Sequence, residues 1–302
     1  MKKIHSLFIK NLILFLSTIS LSSFFWNIIY IINKLFNNPI KSVFICYPAH
    51  SKYTKYFFYD WLAEKMKWKF VLIGIHKQNG YWGLNLTTPV DESELISDKN
   101  IDKFKEMINK MIYIKDKTGI EYINYAGILP SVIAKRKLSS FQSATKDIIA
   151  EVVTSGIFQA LEYDNYDVNN TEIYILGGKG FIGKAIVDCL NKKNIDCNIL
   201  DIDDYDIINK LKKCKKQKII VNVSRRGVFE QYSSLLCPKT VLLNEVYPEP
   251  CLDNCKIKSA YHVKGIKAKM YPSLPHGYSN ALPCCALVQG KDKKYQVIIK
   301  KI

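Results

Sequence analysis

A glycine-rich turn in the middle of the chain has the residue types and the spacing that phosphate binding requires. Gly178, Gly180 and Gly183 fit the pattern G-x-G-x-x-G, and Gly177 places the wider spacing G-x-x-G-x-x-G over the same turn. Glycine suits these positions because the backbone must turn tightly, a pyrophosphate must approach the main chain, and a helix must pack close to a strand. The spacing therefore predicts a turn that holds a dinucleotide.

The residues on either side of the turn strengthen this prediction. A β-branched strand precedes it, and Phe181 and Ile182 begin a helix whose free N–H groups and partial positive charge attract phosphate. A second strand ends at Asp201, about twenty residues on, where a carboxylate can hold a ribose 2′-hydroxyl. We therefore predict NAD or NADP as the cofactor, and Asp201 favours NAD. The alternative is an ordinary glycine turn that binds no ligand.

Two further residues follow the next predicted strand, residues 218–223. Ser224 and Arg225 lie at the carboxyl edge of the predicted sheet, where open α/β folds bind ligands. Arg225, or Arg226 beside it, could hold an anionic group. The alternative is a solvent-exposed loop without a binding role.

Cys284 and Cys285 are the candidate nucleophiles. They fall in the first turn of a helix predicted over residues 281–289, where the helix dipole would lower the pKa of a thiol. His276 precedes them in a loop rich in glycine and proline, from which it could act as an acid or a base. The alternative is that these cysteines are small buried hydrophobic residues.

The cysteine count and the charge limit the class of protein. The nine cysteines are scattered and odd in number, which favours a reducing compartment over a disulfide framework. Cys251 and Cys255 lack a second ligand pair, so we predict no metal site. The formal net charge of +17 comes without a basic stripe that alternates with aromatic residues, so we predict no nucleic-acid partner. A basic surface favours acidic lipids, cofactor phosphates or an acidic carrier protein.

The N-terminal segment is apolar and uncharged from residue 11 to residue 33. As one helix it would span roughly 35 Å, enough for the bilayer core. We predict a membrane anchor, and the lysines on both sides favour slightly a cytoplasmic position for the domain that follows. A cleaved signal peptide and a buried or monotopic helix are the alternatives.

The rest of the chain alternates between strands and helices, which predicts an α/β fold with two domains. We expect an anchor and linker over residues 1–41, an α/β substrate domain over 42–165, and a Rossmann-type, doubly wound parallel sheet over 166–302. Strands are predicted at residues 42–47, 70–75, 120–125, 172–176, 195–201, 218–223, 240–244 and 258–262, and helices at 56–67, 98–112, 143–162, 184–190 and 207–216.

The order of several short motifs resembles the aldehyde-forming long-chain acyl-(acyl-carrier-protein) reductases. The resemblance extends over roughly residues 42–290. The similar segments are residues 118–127, Thr154-Ser-Gly156, the turn at residues 177–183, Val241-Leu-Leu-Asn-Glu-Val-Tyr-Pro248 and Leu282-Pro-Cys-Cys-Ala286. This sequence differs from the family at Asp201. The family is expected to use NADPH, whereas a carboxylate at this position repels a 2′-phosphate and favours NAD.

This resemblance implies a reaction and partners. Cys284 or Cys285 would take an acyl group from a carrier-protein thioester, and a nicotinamide hydride would release a fatty aldehyde. We therefore expect an NAD(P)-dependent oxidoreductase with an acyl thioester as substrate and a membrane lipid as a further partner. The alternatives are a dehydrogenase of a hydroxy or keto substrate without a covalent step, of the shikimate-dehydrogenase type, and a membrane-tethered nucleotide-sensing protein. The oligomeric state is left open.

Overall fold

The structure is a computed structural model. It describes residues 2–48, 51–78, 80–138, 144–201, 207–212, 215–253, 255–272, 281–287 and 295–302. The chain forms two compact units. Unit 1 comprises Met1–Ser143, Ala268–Asn280 and Cys285–Asp292, and unit 2 comprises Ala144–Lys267, Ala281–Cys284 and Lys293–Ile302.

The helices and strands follow one another in an alternating order, as expected for an α/β protein. In the first half of the described chain they are α1 (Lys2–Ser20), α2 (Ser23–Leu35), β1 (Ile40–Cys46), α3 (Ser51–Phe57), α4 (Asp60–Met66), β2 (Val71–Gln78), β3 (Tyr81–Thr87), α5 (Glu92–Ile96), α6 (Ile101–Thr118), β4 (Tyr122–Tyr125) and α7 (Leu129–Lys135). In the second half they are α8 (Ala144–Tyr163), β5 (Thr171–Leu176), α9 (Phe181–Asn191), β6 (Asn198–Leu200), α10 (Ile207–Lys212), β7 (Gln217–Asn222), α11 (Val228–Tyr232), β8 (Thr240–Asn244), β9 (Ser259–Lys267), β10 (Lys269–Tyr271), β11 (Ala281–Leu282) and β12 (Val297–Lys301).

Unit 1 is built around a mixed sheet with the strand order β10-β2-β3-β1-β4. Strand β1 is parallel to β3 and β4, whereas β2 and β3 form an antiparallel pair. Strand β3 was missed by the sequence analysis, although the dipeptide Asn79-Gly80 before it is a strong hairpin signal. Helix α6 covers the sheet with a buried apolar stripe that includes Phe104, Met107 and Met111, and it ends at the left-handed Gly119.

The N-terminal segment forms two helices, not the one helix predicted for the membrane anchor. Two helices, α1 and α2, meet at a break where Ser22 accepts a hydrogen bond from the Phe24 amide and caps α2. Among the described residues, no single helix has the length and apolar character to cross a membrane. Only the pair, bent by 80°, meets those two criteria together.

Unit 2 contains a parallel sheet with the strand order β6-β5-β7-β8-β9, to which β11 and β12 add antiparallel pairing on β9. Numbered from β5 within the unit, this is the order 2-1-3-4-5 of an open α/β sheet, and its switch point lies between β5 and β7. The prediction of an α/β fold with a parallel sheet in the second half of the chain is therefore confirmed.

The unit boundaries differ from the domain boundaries expected at residues 41 and 165. Helices α1 and α2 belong to unit 1, and α8 belongs to unit 2 rather than to the preceding domain. The segment Thr154-Ser-Gly156 lies inside α8, where Gly156 approaches Leu243 and Val263, and not at the start of a helix. The chain crosses between units several times after residue 267, which local sequence patterns do not indicate.

Most cysteines within the described residues are free thiols. Free thiols are found at Cys46, Cys189, Cys197, Cys251, Cys255, Cys284 and Cys285. Cys237 is disulfide-bonded.

Candidate functional site

The glycine turn lies between β5 and α9, at the carboxyl edge of the sheet in unit 2. The Gly177 amide donates a hydrogen bond to the Leu200 carbonyl of the neighbouring strand at 2.9 Å, and the Gly180 amide donates to the Gly177 carbonyl at 3.0 Å. On the other side of β5, the Val223 amide donates to the Leu176 carbonyl at 3.0 Å. The turn is therefore seated at the switch point, between the ends of β6 and β7.

Two of the glycines are required by the fold itself. Gly177 has a φ of +89°, and a Cβ atom there would lie 2.8 Å from the Ser224 Cα. A Cβ on Gly183 would collide with the Gly177 carbonyl oxygen and lie 2.6 Å from the Gly178 Cα. These contacts explain the tight turn and the close packing of helix on strand that the motif predicts.

Gly180 is less tightly enclosed than Gly177 and Gly183, since a Cβ atom there would lie 3.1 Å from the Gly177 carbonyl oxygen. It is the N-cap of α9, with ordinary extended angles, and no side chain among the described residues caps the helix. The first turn of α9 contains no acidic residue. Its amides, including those of Phe181 and Ile182, are therefore available to an anion, which the helix dipole attracts.

Asp201 contacts the turn directly. It follows β6, and its carboxylate accepts a hydrogen bond from the Lys179 amide at 3.1 Å. The carboxylate thus lies beside the glycine turn, as the dinucleotide pattern requires. These features fit a dinucleotide: an open helix start for the pyrophosphate and a carboxylate at the end of the second strand.

A row of polar side chains crosses the same edge of the sheet. Asn222 on β7, Asn244 on β8 and His262 on β9 are paired in register, and all three are buried. The Asn222 side chain donates to the Asn244 oxygen at 2.7 Å, and the Asn244 amide nitrogen lies 3.0 Å from the His262 Nδ1. Ser224 donates to the Asn222 oxygen at 2.6 Å, which connects the predicted site residue to the row.

These hydrogen bonds determine which atoms of the row donate and which accept. Because the Asn244 nitrogen is a donor, His262 accepts at Nδ1, and its proton is assigned to Nε2. Burial lowers the pKa of His262, which favours this neutral form. Arg225 and Arg226 follow Ser224 and are exposed.

Cys284 and Cys285 are not in the first turn of an α-helix. Ala281–Leu282 form β11, and Cys284–Ala286 form a single 3-10 turn, so the predicted helix over residues 281–289 is wrong within the described residues. Gly265 on β9 permits this local structure. A Cβ atom there would collide with the Leu282 carbonyl, so the glycine lets β11 lie against β9. Pairing with β9 therefore overrides the helical pattern.

Cys284 has a carboxyl group as its partner within unit 2. Its sulfur lies 3.5 Å from the Glu245 Oε1 and donates to it. Glu245 directly follows β8, at the same edge of the sheet as Asn244 and the glycine turn. Loss of contact with water raises the pKa of Glu245 to about 7, and the hydrogen bond from Cys284 lowers it by less. Near neutral pH this carboxyl group can therefore both accept and donate a proton.

Cys285 has different neighbours, within unit 1. The Tyr47 hydroxyl accepts a hydrogen bond from the Ile128 amide at 3.1 Å. Burial raises the pKa of Tyr47, the Ile128 amide opposes the shift, and the negative charges of Glu92 and Cys285 add to it. Cys285 thus lies close to Tyr47, whose hydroxyl oxygen already accepts a hydrogen bond from a backbone amide.

His276, the third predicted catalytic residue, lies outside the described residues. Among the residues that the structure does describe, no cluster of three His, Cys, Asp or Glu side chains could hold a metal ion. An open hollow of about 570 Å³ lies at the amino ends of β5 and β7, beside Thr171 and Gln217. That is the opposite edge of the sheet from the glycine turn, so the hollow is not part of this site.

The sequence analysis missed four residues of the site, namely Asn222, Asn244, Glu245 and His262. One signal was available: two strands predicted as apolar, at residues 218–223 and 240–244, each carry an asparagine near the carboxyl end. A buried amide at that place needs a partner, which indicates a polar row across strands.

Comparisons with known proteins give the following results. The sequence matches no family model and no curated protein. One similar solved structure is the bifunctional 5,10-methylenetetrahydrofolate dehydrogenase/cyclohydrolase from Thermoplasma acidophilum, with a TM-score of 0.35 and 14% identity over 74% of this chain and 79% of that chain. Another is shikimate 5-dehydrogenase from Listeria monocytogenes, in complex with shikimate and NAD, with a TM-score of 0.34 and 12% identity over 72% of this chain and 85% of that chain. The function of this chain is therefore inferred from the residues of the site.

Proposed function

We propose that this protein is an NAD(P)-dependent oxidoreductase. The observation that carries the proposal is the glycine turn at the switch point of the sheet in unit 2, with the uncapped start of α9 on one side and the Asp201 carboxylate on the other. The amides of α9 would hold the pyrophosphate, and Asp201 would hold a ribose hydroxyl. When bound, the cofactor supplies a hydride, so that one acyl thioester, one NAD(P)H and one proton give one aldehyde, one free thiol and one NAD(P)⁺.

One substitution at Gly180 separates cofactor binding from folding. Gly180→Asp places a preferred N-cap residue at a position with suitable backbone angles, and its Cβ atom would lie 3.1 Å from the Gly177 carbonyl oxygen, so circular dichroism melting should check that the variant is folded. The added carboxylate would occupy the helix start and repel phosphate. We expect the affinity for NADH, measured by fluorescence titration, to fall at least about tenfold. Gly180→Ser is the neutral control, and equal affinities in all three proteins would refute a phosphate site here.

The proposed substrate is a fatty acyl thioester, and Cys284 is the proposed nucleophile. The resemblance to the aldehyde-forming acyl reductases and the hydrogen bond from Cys284 to Glu245 support this choice. As Cys284 attacks the thioester carbonyl, its S–H proton passes to the Glu245 carboxylate. The carbon–sulfur bond to the carrier then breaks, and Glu245 returns the proton to the leaving thiolate. A carboxyl group with a pKa of about 7 suits both transfers.

The direct test uses the purified full chain with long-chain acyl-coenzyme A and acyl-carrier-protein thioesters. Without cofactor, acid-quenched mass analysis should find one acyl group on Cys284 and release of one free thiol. With NADH or NADPH, the loss of absorbance should equal the amount of fatty aldehyde formed. Aldehyde formation without an acylated cysteine would exclude the covalent route and leave the oxidoreductase proposal standing.

The cofactor proposed is NAD rather than NADP, because the Asp201 carboxylate would repel a 2′-phosphate. Asp201→Asn keeps an oxygen that can accept the Lys179 N–H and removes the negative charge. We expect the ratio of NADPH to NADH efficiency to rise about tenfold. An unchanged ratio would show that the Asp201 carboxylate does not discriminate between the ribose 2′-hydroxyl and a 2′-phosphate.

A second function is favoured by one observation, the low exposure of Cys284, which is 4% accessible. In a dehydrogenase of a hydroxy or keto substrate without a covalent step, the row ending at His262 would supply the proton. Such an enzyme would keep its activity in Cys284→Ala and lose it in His262→Ala.

A further inference from the structure

Helices α1 and α2 are structural parts of unit 1 along their inner faces. Ile9 and Ile13 of α1 pack against Phe58, Leu62 and Val71. The Ser20 side chain accepts the Leu72 amide at 3.2 Å, and the Ser20 carbonyl accepts the Trp26 indole N–H at 2.9 Å. The inner face of α1 is therefore committed to the core of the unit.

The inner face of α2 is held by one buried amide. The Asn33 nitrogen donates to the carbonyls of Ile40 and Thr118 at 3.0 Å, and its oxygen accepts the Ile40 amide at 3.0 Å. Trp26 and Ile29 lie on the same face, in the main apolar cluster of unit 1. If α1 and α2 straightened to cross a bilayer, these contacts would be lost and Asn33 would be left without its partners.

The outer faces of the same two helices are apolar and exposed. On α2, Phe24, Ile28, Ile31 and Leu35 follow one another at spacings of four, three and four residues, which places them on one side of the helix. Phe24 is 70% and Leu35 71% accessible. More than half of the exposed large hydrophobic side chains in the described chain lie here: Leu7, Phe8, Phe15, Leu21, Phe24, Ile28, Tyr30, Ile31, Leu35 and Phe36. We call these ten residues the outer apolar face. A face of this kind marks an interaction surface.

The charges around this face identify its partner. The first 59 residues contain seven lysines and no aspartate or glutamate. A second copy of the chain would bring the same positive charge to the contact, so self-association is opposed. An anionic lipid surface offers hydrocarbon for the apolar side chains and negative headgroups for Lys10 and Lys34.

We propose that the outer apolar face docks on the surface of an anionic lipid bilayer, with α1 and α2 lying in the interface rather than crossing it. The inner faces stay packed in unit 1 while the outer side chains enter the boundary between headgroups and acyl chains. The proposal does not depend on the reaction proposed above.

The test is flotation of the full chain with vesicles of equimolar phosphatidylserine and phosphatidylcholine. The triple variant Phe24→Gln, Ile31→Gln and Leu35→Gln should bind about a hundredfold more weakly, because each change removes buried apolar area in the bound state. The matched control is Ile96→Gln, Ile101→Gln and Tyr113→Gln, which removes three exposed apolar side chains elsewhere in unit 1 and should bind as before. Circular dichroism melting checks that each variant is folded.

A second variant keeps the apolar face and changes only charge. Lys10→Glu with Lys34→Glu should weaken binding to the anionic vesicles at least about tenfold. An alkaline carbonate wash should release the bound wild-type protein. Retention after the wash would show a spanning segment and overturn the proposal. Equal binding to pure phosphatidylcholine vesicles would also overturn it, as would a dimer without lipid that the triple glutamine variant dissociates.

Discussion

Two adjacent cysteines, Cys284 and Cys285, have opposite surroundings. Cys284 donates to the carboxyl group of Glu245, whose pKa of about 7 lets it exchange a proton at neutral pH. Cys285 lies near Tyr47, whose hydroxyl pKa is raised by burial and whose oxygen already accepts the Ile128 amide. The boundary between the two compact units falls between these cysteines.

The comparison shows that sequence adjacency does not make two thiols chemically equivalent. A nucleophilic thiol needs a group that takes its proton, and Cys284 has such a group beside it, the Glu245 carboxyl with a pKa of about 7. The hydrogen bond to Glu245 supports the proposal that Cys284 is the nucleophile, and the variants below compare it directly with Cys285.

The largest expected effect comes from replacing each of the two cysteines by serine in separate variants. Cys284→Ser should lower aldehyde formation at least about a thousandfold and abolish the acyl adduct, because the covalent nucleophile is lost. Cys285→Ser should retain activity within about twofold. Steady-state rates and acid-quenched mass spectra measure both. The reverse pattern would assign the nucleophile to Cys285.

The next effect concerns the two carboxyl groups. Glu245→Gln should slow Cys284 acylation about a hundredfold, because the proton acceptor is removed while the side chain keeps its size. Glu92→Gln, the matched change near Cys285, should leave the rate within about twofold. Single-turnover release of the carrier thiol measures the acylation rate. Similar rates for both variants would remove Glu245 from the mechanism.

The pH dependence should distinguish the wild type from Glu245→Gln. Only the ionised carboxylate accepts a proton, so the acylation rate should rise as the pH rises through about 7 and fall about tenfold per pH unit below it. Desolvation is the main cause of this raised pKa, and Cys284 is the titratable neighbour that opposes it. Acylation rates measured from about pH 5 to about pH 8 should show this limb in the wild type and not in Glu245→Gln. A limb that persists in the variant would belong to another group.

The smallest expected effect is on stability and concerns Tyr47, the tyrosine near Cys285. Tyr47→Phe removes the oxygen that accepts the Ile128 amide, and we expect a loss of about 1 kcal/mol in the free energy of unfolding. Urea denaturation measures it. Tyr113→Phe removes an exposed hydroxyl and is the control, with no expected change. A large loss of activity in Tyr47→Phe without a loss of stability would contradict the structural role.

Local sequence patterns were sufficient to predict the helices and strands whose apolar pattern extends over many residues. The apolar spacing of Phe104, Met107 and Met111 predicted α6, and the continuous apolar runs predicted β5, β7 and β8. Patterns were insufficient where long-range pairing decides the structure. The Leu282 segment became a strand because β9 pairs with it, and the N-terminal run broke into two helices where Ser22 caps α2 and Asn33 ties it to the unit.

The sequence by itself determined the α/β class, the glycine turn and the placement of Asp201, because each depends on residue type and short spacing along one βαβ unit. Only the tertiary structure decided that Cys284 lies beside the Glu245 carboxyl group, since the two residues are 39 positions apart in the chain. The same holds for the row from Asn222 to His262, which exists only through the register of β7, β8 and β9. Contacts between distant segments depend on how the strands pair, and strand pairing is not encoded in any one stretch of the chain.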